Sequence, residues 1–371
     1  MSTLVFRNPC EDDILPIMRL YQLATSDIWR DRILLDYKAL ESAFEKEARN
    51  WLVGEKDGKV VGFASFLLES EQRLGKISRI YMDSAFVEDV ELTRELFANL
   101  ISRNSDLMDI MYISTRYISF QQLEIALNQG FRIIGFFPIS PSQEKREVSA
   151  LAAYFYPGVL ENLRTQNVKT HPLIGSFFEA VFPELKIEVE PFKPSPNLEM
   201  PDNPIPELEI LEASGLVVRK FQKLRELKLL TNNFYPFQQP NSMIVDANER
   251  IRIFLSIQRE FRFAAIIEEN LEEWFNPCEL YNKIARMLNS RGINYIEMIV
   301  DSGDISALNF MLSSGFLPMV PFPALKKHGS KRRDFVILGH SFERLDFSSE
   351  KIREKYPRFH DFYSLQCANI E

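Results

Sequence analysis

Two stretches of this chain run through the same order of elements. Asp109–Tyr154 reads as an apolar strand (Met111, Ile113), a helix ending in Asn128-Gln129-Gly130-Phe131, a strand, a polar loop and a last apolar strand. Asn294–Phe342 repeats it: Ile296-Glu297-Met298-Ile299-Val300, a helix ending in Ser313-Ser314-Gly315-Phe316, a strand, the basic loop Lys326–Arg333, then Phe335-Val336-Ile337-Leu338. A self-similarity of this length exceeds a solenoid unit and predicts two copies of one domain. With 371 residues, the chain is long enough for each copy to bury its own core.

The pattern upstream fills in the first copy. Leu4-Val5-Phe6 reads as a strand, and Glu11-Asp12-Asp13 opens a helix carrying Ile14, Ile17, Met18 and Tyr21 on one face. Acidic residues at that end offset the helix dipole. Trp51-Leu52-Val53 and Val60-Val61-Gly62-Phe63-Ala64 flank Lys56-Asp57-Gly58-Lys59, a hairpin signal because Asp-Gly supplies the left-handed residues of a tight turn. A strand around Ile77–Met82 and a helix around Val90–Ser102 follow, with Leu92, Leu96, Phe97 and Leu100 at helical spacing.

Pro191, Pro194, Pro196, Pro201, Pro204 and Pro206 then crowd one stretch between Glu190 and Glu207. Proline fixes φ and removes a donor, so this segment reads as an extended linker, with a helix over Leu173–Phe182 before it. Beyond it, Val217–Leu230 reads as a basic amphipathic helix, and Asn232–Asn241 as turns. Met243-Ile244-Val245 and Ile251–Ile257 form a second hairpin, and Phe261–Ile267 the next strand. Asn276-Pro277-Cys278-Glu279 opens a helix with Asn as N-cap, Pro first and Glu third. The expected division is a domain over residues 1–157, a helix and linker over 158–207, a second domain over 208–345 and a tail over 346–371.

This order resembles that of the GNAT acyltransferase superfamily, and three segments resemble it in residues. Phe6-Arg7-Asn8-Pro9-Cys10-Glu11-Asp12-Asp13-Ile14 is similar to the family's opening strand and Arg-plus-acidic turn. Asp57 through Ala64 is similar to its hairpin, and Asp304 through Phe316 to its late helix and Gly-Phe ending. The resemblance implies an α/β fold of mixed sheets in two tandem GNAT-like domains, over Val5–Tyr156 and Met243–Phe342. It further implies transfer of an acyl group from acetyl-CoA or another acyl-CoA to an amine on a small molecule or peptide.

The residues that carry such chemistry are sparse. The family cradles the CoA pyrophosphate on N–H groups in a glycine-rich loop at a helix N-terminus. In the first copy the corresponding Ala85–Thr93 has no glycine and carries Glu88, Asp89 and Glu91. In the second, Asn270–Glu279 has none either and carries Glu272 and Glu273. Carboxylates there repel a pyrophosphate. The late-helix tyrosine that protonates the leaving thiolate in the family corresponds to Ala126 and Met311, neither of which donates a proton. For the cofactor arm the candidates are the backbone of Tyr81 and Met82, with Val90 and Glu91 at the pyrophosphate position. Catalytic candidates are Glu268 and Glu269, of which strand alternation lets one face a cleft, and Asp83 at the matching place in the first copy. Each competes with a plainer reading as solvated strand-end charge.

The basic run Lys326–Arg333 either attracts an anion or is a solvated loop. His340 reads as a satisfied wall residue, and His171 and His360 have no partner at metal-ligand spacing, so no metal is expected. Cys10, Cys278 and Cys367 are odd in number and far apart, which predicts no disulfide framework and a reducing, cytoplasmic setting. Met1–Asn8 carries no basic-then-apolar pattern, so no secretory signal is expected, and no apolar run is long enough to span a bilayer. A net charge of −8 argues against nonspecific phosphate-backbone binding. Three functions stay open: an acyl-CoA-dependent N-acyltransferase, a noncatalytic pseudo-enzyme that binds a ligand or partner, and an aminoacyltransferase independent of CoA. The acceptor and the oligomeric state are not legible.

Overall fold

The structure, a computed structural model, describes residues 4–24, 31–86, 90–114, 120–137, 149–181, 187–192, 203–230, 235–343 and 350–368. The chain divides into two units, Met1–Ile133 with Ser149–Val159, and Ile134–Val148 with Leu160–Glu371.

The first sheet is built from β1 (Leu4–Arg7), β2 (Trp51–Lys56), β3 (Lys59–Glu69), β4 (Leu74–Met82), β5 (Ile110–Ser114), β6 (Arg132–Phe137) and β7 (Ser149–Phe155), in the order β1-β2-β3-β4-β5-β7-β6. Between β1 and β2 lie α1 (Ile14–Ala24), α2 (Arg32–Leu35) and α3 (Tyr37–Glu47). The sequence pattern predicts α1 and not the other two. α4 (Val90–Arg103) joins the parallel pair β4 and β5, and α5 (Phe120–Asn128) precedes β6. Ile14, Ile17, Leu20 and Tyr21 of α1 pack with Leu40, Phe44, Trp51 and Phe63 in one buried cluster. At its entrance Arg7 grips Asp13 through two hydrogen bonds of 2.6 and 2.8 Å and reaches Glu55 at 2.7 Å. Burial alone would raise the Asp13 carboxyl, but this grip and the Cys10 N–H hold it below its ordinary value. The hairpin turn has φ of 51° at Asp57 and 77° at Gly58, the backbone that tight hairpins of right-handed twist require.

The longer segment of the second unit carries β8 (Val168–Thr170), α6 (Pro172–Val181) and β9 (Val189–Pro191) ahead of its sheet. Its sheet holds β10 (Leu208–Leu211), β11 (Ser242–Asp246), β12 (Ile251–Gln258), β13 (Phe263–Leu271), β14 (Tyr295–Asp301), β15 (Leu317–His328) and β16 (Lys331–Ser341). The order is β10-β11-β12-β13-β14-β16-β15, the first sheet's order repeated strand for strand. α7 (Ser214–Glu226), α8 (Pro277–Asn289), α9 (Ile305–Ser313), α10 (Glu350–Lys355) and α11 (Pro357–Ala368) complete it. The fold is therefore mixed α/β with two seven-stranded sheets, as the resemblance implies.

Several expectations need correction here. β10 was missed beside the proline-rich stretch, although it pairs fully with β11 from Leu208↔Asp246 to Leu211↔Met243. α7 ends at Glu226 rather than Leu230, because Lys228 adopts φ 56° and the Leu229 N–H turns back to the Leu224 carbonyl. β13 runs on to Leu271, which places Glu268 and Glu269 inside the strand. The basic run is no loop: Lys326–His328 and Lys331–Arg333 are facing strand residues, and Arg332 is 1% exposed with its guanidinium on the Ala324 and Leu325 carbonyls. Residues 346–371, expected as a tail, contain α10 and α11. There Phe362 stacks on Phe177 with ring centroids 4.1 Å apart, and the Tyr363 hydroxyl donates to the Met319 carbonyl.

A wide bulge interrupts β15 between Phe322 and Lys326, opposite Asp334. Asp334 accepts the Ala324 N–H at 2.8 Å and receives Arg164 through bonds of 2.6 to 2.9 Å. Arg164 and Asp334 are each 1% exposed. β15 lies at the sheet edge, which is where a strand bearing Pro318, Pro321 and Pro323 is tolerated.

Candidate functional site

The parallel ladder between β13 and β14 runs only from Phe263↔Tyr295 to Ile266↔Met298. Both strands continue past it, so their ends diverge. The local cause is a bulge in β13: Ile266 pairs Leu255 while Glu268 pairs Phe254, leaving Ile267 as the extra residue. A bulge bends its strand and sharpens the twist. The gap widens into a cleft of about 1040 Å³ that also meets α8, α9 and the β15–β16 hairpin. That volume suits an organic ligand.

One wall carries the site's most perturbed pair. Glu269, half-buried at the divergence, accepts a hydrogen bond from the Tyr281 hydroxyl of α8. Burial raises the Glu269 carboxyl, the Tyr281 bond opposes that, and Asp304 adds a further push upward. Burial and the adjacent Glu269 carboxylate keep Tyr281 protonated well beyond its ordinary range. A carboxyl raised this way sits nearer the pKa a general base needs at neutral pH. Most other acids of the cleft are occupied. Asp301 receives Arg333 at 3.2 Å and the Gly303 N–H at 2.8 Å, Asp304 caps α9 through the Ala307 N–H, and Asp334 holds Arg164. Lys326, lowered by burial, lines the same cleft with Lys169, His328 and Arg333. Leu271, Met298, Val300, Phe310 and Met311 supply the apolar surface.

Of the residues proposed from sequence, the structure puts Glu269 in the cleft wall and leaves Glu268 buried outside its lining, 8% exposed. Asp83 lies past the end of β4, and its side chain takes the Ala85 N–H at 2.9 Å, which makes it the cap of a short turn. It does not match Glu269. β4 bulges at Ser78, between Ile77↔Phe66 and Arg79↔Ser65, so the counterpart of Glu269 is Ile80. Tyr81 packs against Tyr21 and Phe63, and Met82 is buried with its sulfur against the Thr93 hydroxyl. Val90 is exposed at the start of α4, and Glu91 pairs with Arg94. Residues 87–89 of that loop, including Glu88 and Asp89, lie outside the described residues. The first unit also holds a smaller cavity of about 280 Å³ beside Asn8, Trp51, Asn99 and Arg103, lined by none of the proposed residues. Ala126 and Met311 are both buried, and Met311 also lines the large cleft.

His340 lies between Phe316 and Phe342, its ring lowered by burial and its Nδ1 without a hydrogen bond, so it is an apolar wall residue rather than a satisfied one. Among the described residues no cluster of His, Cys, Asp or Glu is arranged for a metal ion, and no helix is long and apolar enough to cross a membrane. Tyr281 was missed in the sequence. Its signal was a phenol beside Leu280 on the face that also carries Ile284 and Leu288.

A CoA pyrophosphate does not fit α8. Pro277 has no N–H, the Asn276 side chain takes the Cys278 and Glu279 N–H groups at 3.1 and 3.4 Å, and the Leu280 N–H bonds the Asn276 carbonyl. All donors of the first turn are spent. Nearby Glu272 and Glu273 pair with Arg252 and Arg250.

No protein-family model and no curated protein matches the chain. Among solved structures it is similar to the ribosomal-protein-alanine N-acetyltransferase from Brucella melitensis, at 19% identity over 41% of this chain and 99% of that one, TM-score 0.36. It is also similar to the ribosomal-protein-S18-alanine N-acetyltransferase from Escherichia coli, at 16% identity over 44% and 100%, TM-score 0.35. A third is a GNAT superfamily phosphinothricin acetyltransferase from Sinorhizobium meliloti in complex with AcCoA, at 16% identity over 41% and 88%, TM-score 0.35.

Proposed function

We propose that the second unit is an N-acyltransferase acting in the cleft between β13 and β14, on an amine of a small molecule or peptide. The observation that carries this reading is the Glu269–Tyr281 pair at the point where the strands part. In the step envisaged, the amine nitrogen attacks the carbonyl carbon of an activated acyl donor. The C–N bond forms, the bond to the leaving atom breaks, Glu269 receives the proton the nitrogen sheds, and the leaving atom takes it back. Tyr281 keeps its own proton and holds the carboxylate by hydrogen bond, so it is a positioning residue.

The test is acyl transfer to a panel of amines by the intact chain and by Glu269→Gln. Loss of a general base is expected to lower kcat by about 10²- to 10⁴-fold. Undiminished transfer by the Gln variant overturns the assignment. For the first unit the same reasoning favours a noncatalytic role, because Ile80 stands where Glu269 does.

A further inference from the structure

The cleft of the second unit is electrically divided. At one pole stand Glu269 and Asp304: after burial and the Tyr281 bond, the charge that acts on Glu269 is the Asp304 carboxylate. At the β15–β16 hairpin the lining changes sign, with Lys326, His328 and Arg333 joined by Lys169 of β8. Register builds this array. Lys326 pairs with Arg333 and His328 with Lys331, so strand alternation gathers them on one face and turns Arg332 to the other, where carbonyls bury it.

The carboxylates near the basic pole do not fill it. Asp334 is taken up by Arg164 and the Ala324 N–H. Asp301 accepts one bond from Arg333, from Nη1 at 3.2 Å, and one from the Gly303 N–H. Among the described residues the Nε and Nη2 of Arg333 make no bond, and neither Lys169 nor His328 has a carboxylate partner. The Lys169 ammonium lies 5.7 Å from the Phe192 ring centroid. Lys326 is lowered by burial, raised by Glu268 and Asp301, and lowered again by Arg225 and Arg333. An anion bound there would relieve this crowding of like charges.

We infer that the acceptor carries two charges: an amine whose skeleton also ends in a carboxylate or phosphate, its nitrogen at Glu269 and its anion on Arg333, with Lys326 and Lys169 beside it. The Nε–Nη2 edge of a guanidinium is a fork that meets two oxygens of such a group in parallel bonds. The opposed poles orient the molecule, because reversing it would set the anion against Glu269 and Asp304 and the ammonium against the cations. Met298 and Val300 of β14 line the same cleft and suit the methylenes between the two charges. The inference rests on the cleft's being the site of the transferase proposed above.

The intact chain would be titrated by calorimetry with γ-aminobutyrate, ε-aminocaproate and aminopropylphosphonate, and with butylamine and butyrate, each of which carries one pole only. The tightest two-charge probe is expected to bind at least about tenfold tighter than butylamine or butyrate, the gain of one charge-assisted bond. Arg333→Gln should weaken that probe by about tenfold, and Lys169→Gln by about threefold, while butylamine is unchanged. Both side chains are exposed, so both variants are expected to keep the parent Tm. The inference falls if butylamine binds as tightly as the two-charge probes, if Arg333→Gln weakens both alike, or if no probe binds. It also falls if Arg333→Gln weakens acetyl-CoA and neither acetyl-pantetheine nor the two-charge probes, because the anion held there is then the donor's. Equal transfer to butylamine and to the two-charge probes, lost in Glu269→Gln, sinks this inference alone. Two-charge binding that depends on Arg333, with transfer indifferent to Glu269→Gln, sinks the catalytic reading instead.

Discussion

Aligned on the bulge that each carries in its fourth strand, the two units put different chemistry at one point of one topology. Two residues beyond the bulge stands Ile80 in the first unit and Glu269 in the second. The helices that follow bury the same pattern: Leu92, Thr93, Leu96, Phe97 and Leu100 in α4, and Leu280, Tyr281, Ile284, Ala285 and Leu288 in α8. By that spacing Tyr281 corresponds to Thr93, whose hydroxyl donates to the Met82 sulfur. Two side chains separate a strand–helix contact that packs from one that holds an ionisable pair. The apolar periodicity builds the fold in both, and it is indifferent to which of them carries the chemistry.

Each unit also has an arginine clamp, and the clamps differ in depth. Arg164→Ala would leave Asp334 buried without its partner and is expected to cost about 3–5 kcal/mol, read by urea unfolding. Arg7→Ala releases a half-exposed guanidinium from buried Asp13 and is expected to cost about 1–3 kcal/mol. Equal losses would break the contrast.

Tyr281→Phe strips the donor from Glu269 and is expected to cost about 1–3 kcal/mol, whereas Thr93→Val should cost less than about 1 kcal/mol. Because the Tyr281 bond lowers the Glu269 carboxyl, its removal should also move the acid limb of the transfer pH profile to higher pH. An unmoved limb would detach Tyr281 from the site.

Asp13 and Glu269 give the two units opposite responses to pH. Asp13 is held below its unfolded value of 3.8, so its stabilisation is present above that pH and is lost as pH falls through the folded value. Glu269 is raised above 4.5, so the fold is favoured below that pH and penalised as pH rises through the folded value. Thermal unfolding should therefore show Asp13→Asn losing stability at neutral pH and converging on the parent in acid. Glu269→Gln should gain relative to the parent as pH rises from 4.5. Parallel pH curves for the two variants would remove the distinction.

The smallest effect concerns the hairpins. Gly58 sits at φ 77°, and Gly58→Ala is expected to cost about 1 kcal/mol by calorimetry. The second hairpin already places Glu249 at φ 56°, so Glu249→Gly should relieve strain there while giving up the Lys220 pair at 2.5 Å.

Most elements were legible because their signals are local. The α1 face, the Asp57-Gly58 turn, the Asn276 cap and the Gly-Phe helix endings each lie within a few residues. β10 was hidden by neighbouring prolines, and α2 and α3 by a mixed stretch whose buried Leu34, Leu40 and Phe44 lack a long periodic run. The basic run misled because Arg332 is satisfied by carbonyls that the Ala324 bulge presents, a backbone feature that charge spacing does not encode. The candidate site was legible only as a choice between neighbours. Glu269 could be named as one of two, but choosing it required the bulge at Ile267, and pairing it with Tyr281 required the fold.

The Arg164–Asp334 bond joins residues 170 positions apart, across the proline-rich stretch. During synthesis Arg164 leaves the ribosome long before the strand that neutralises it, so its segment must wait in solvent until β16 exists. Chain closure over such a span is slow to nucleate. A nick among residues 193–202 should accordingly leave two fragments that copurify, and expressing the chain from residue 203 onward should yield an insoluble second unit.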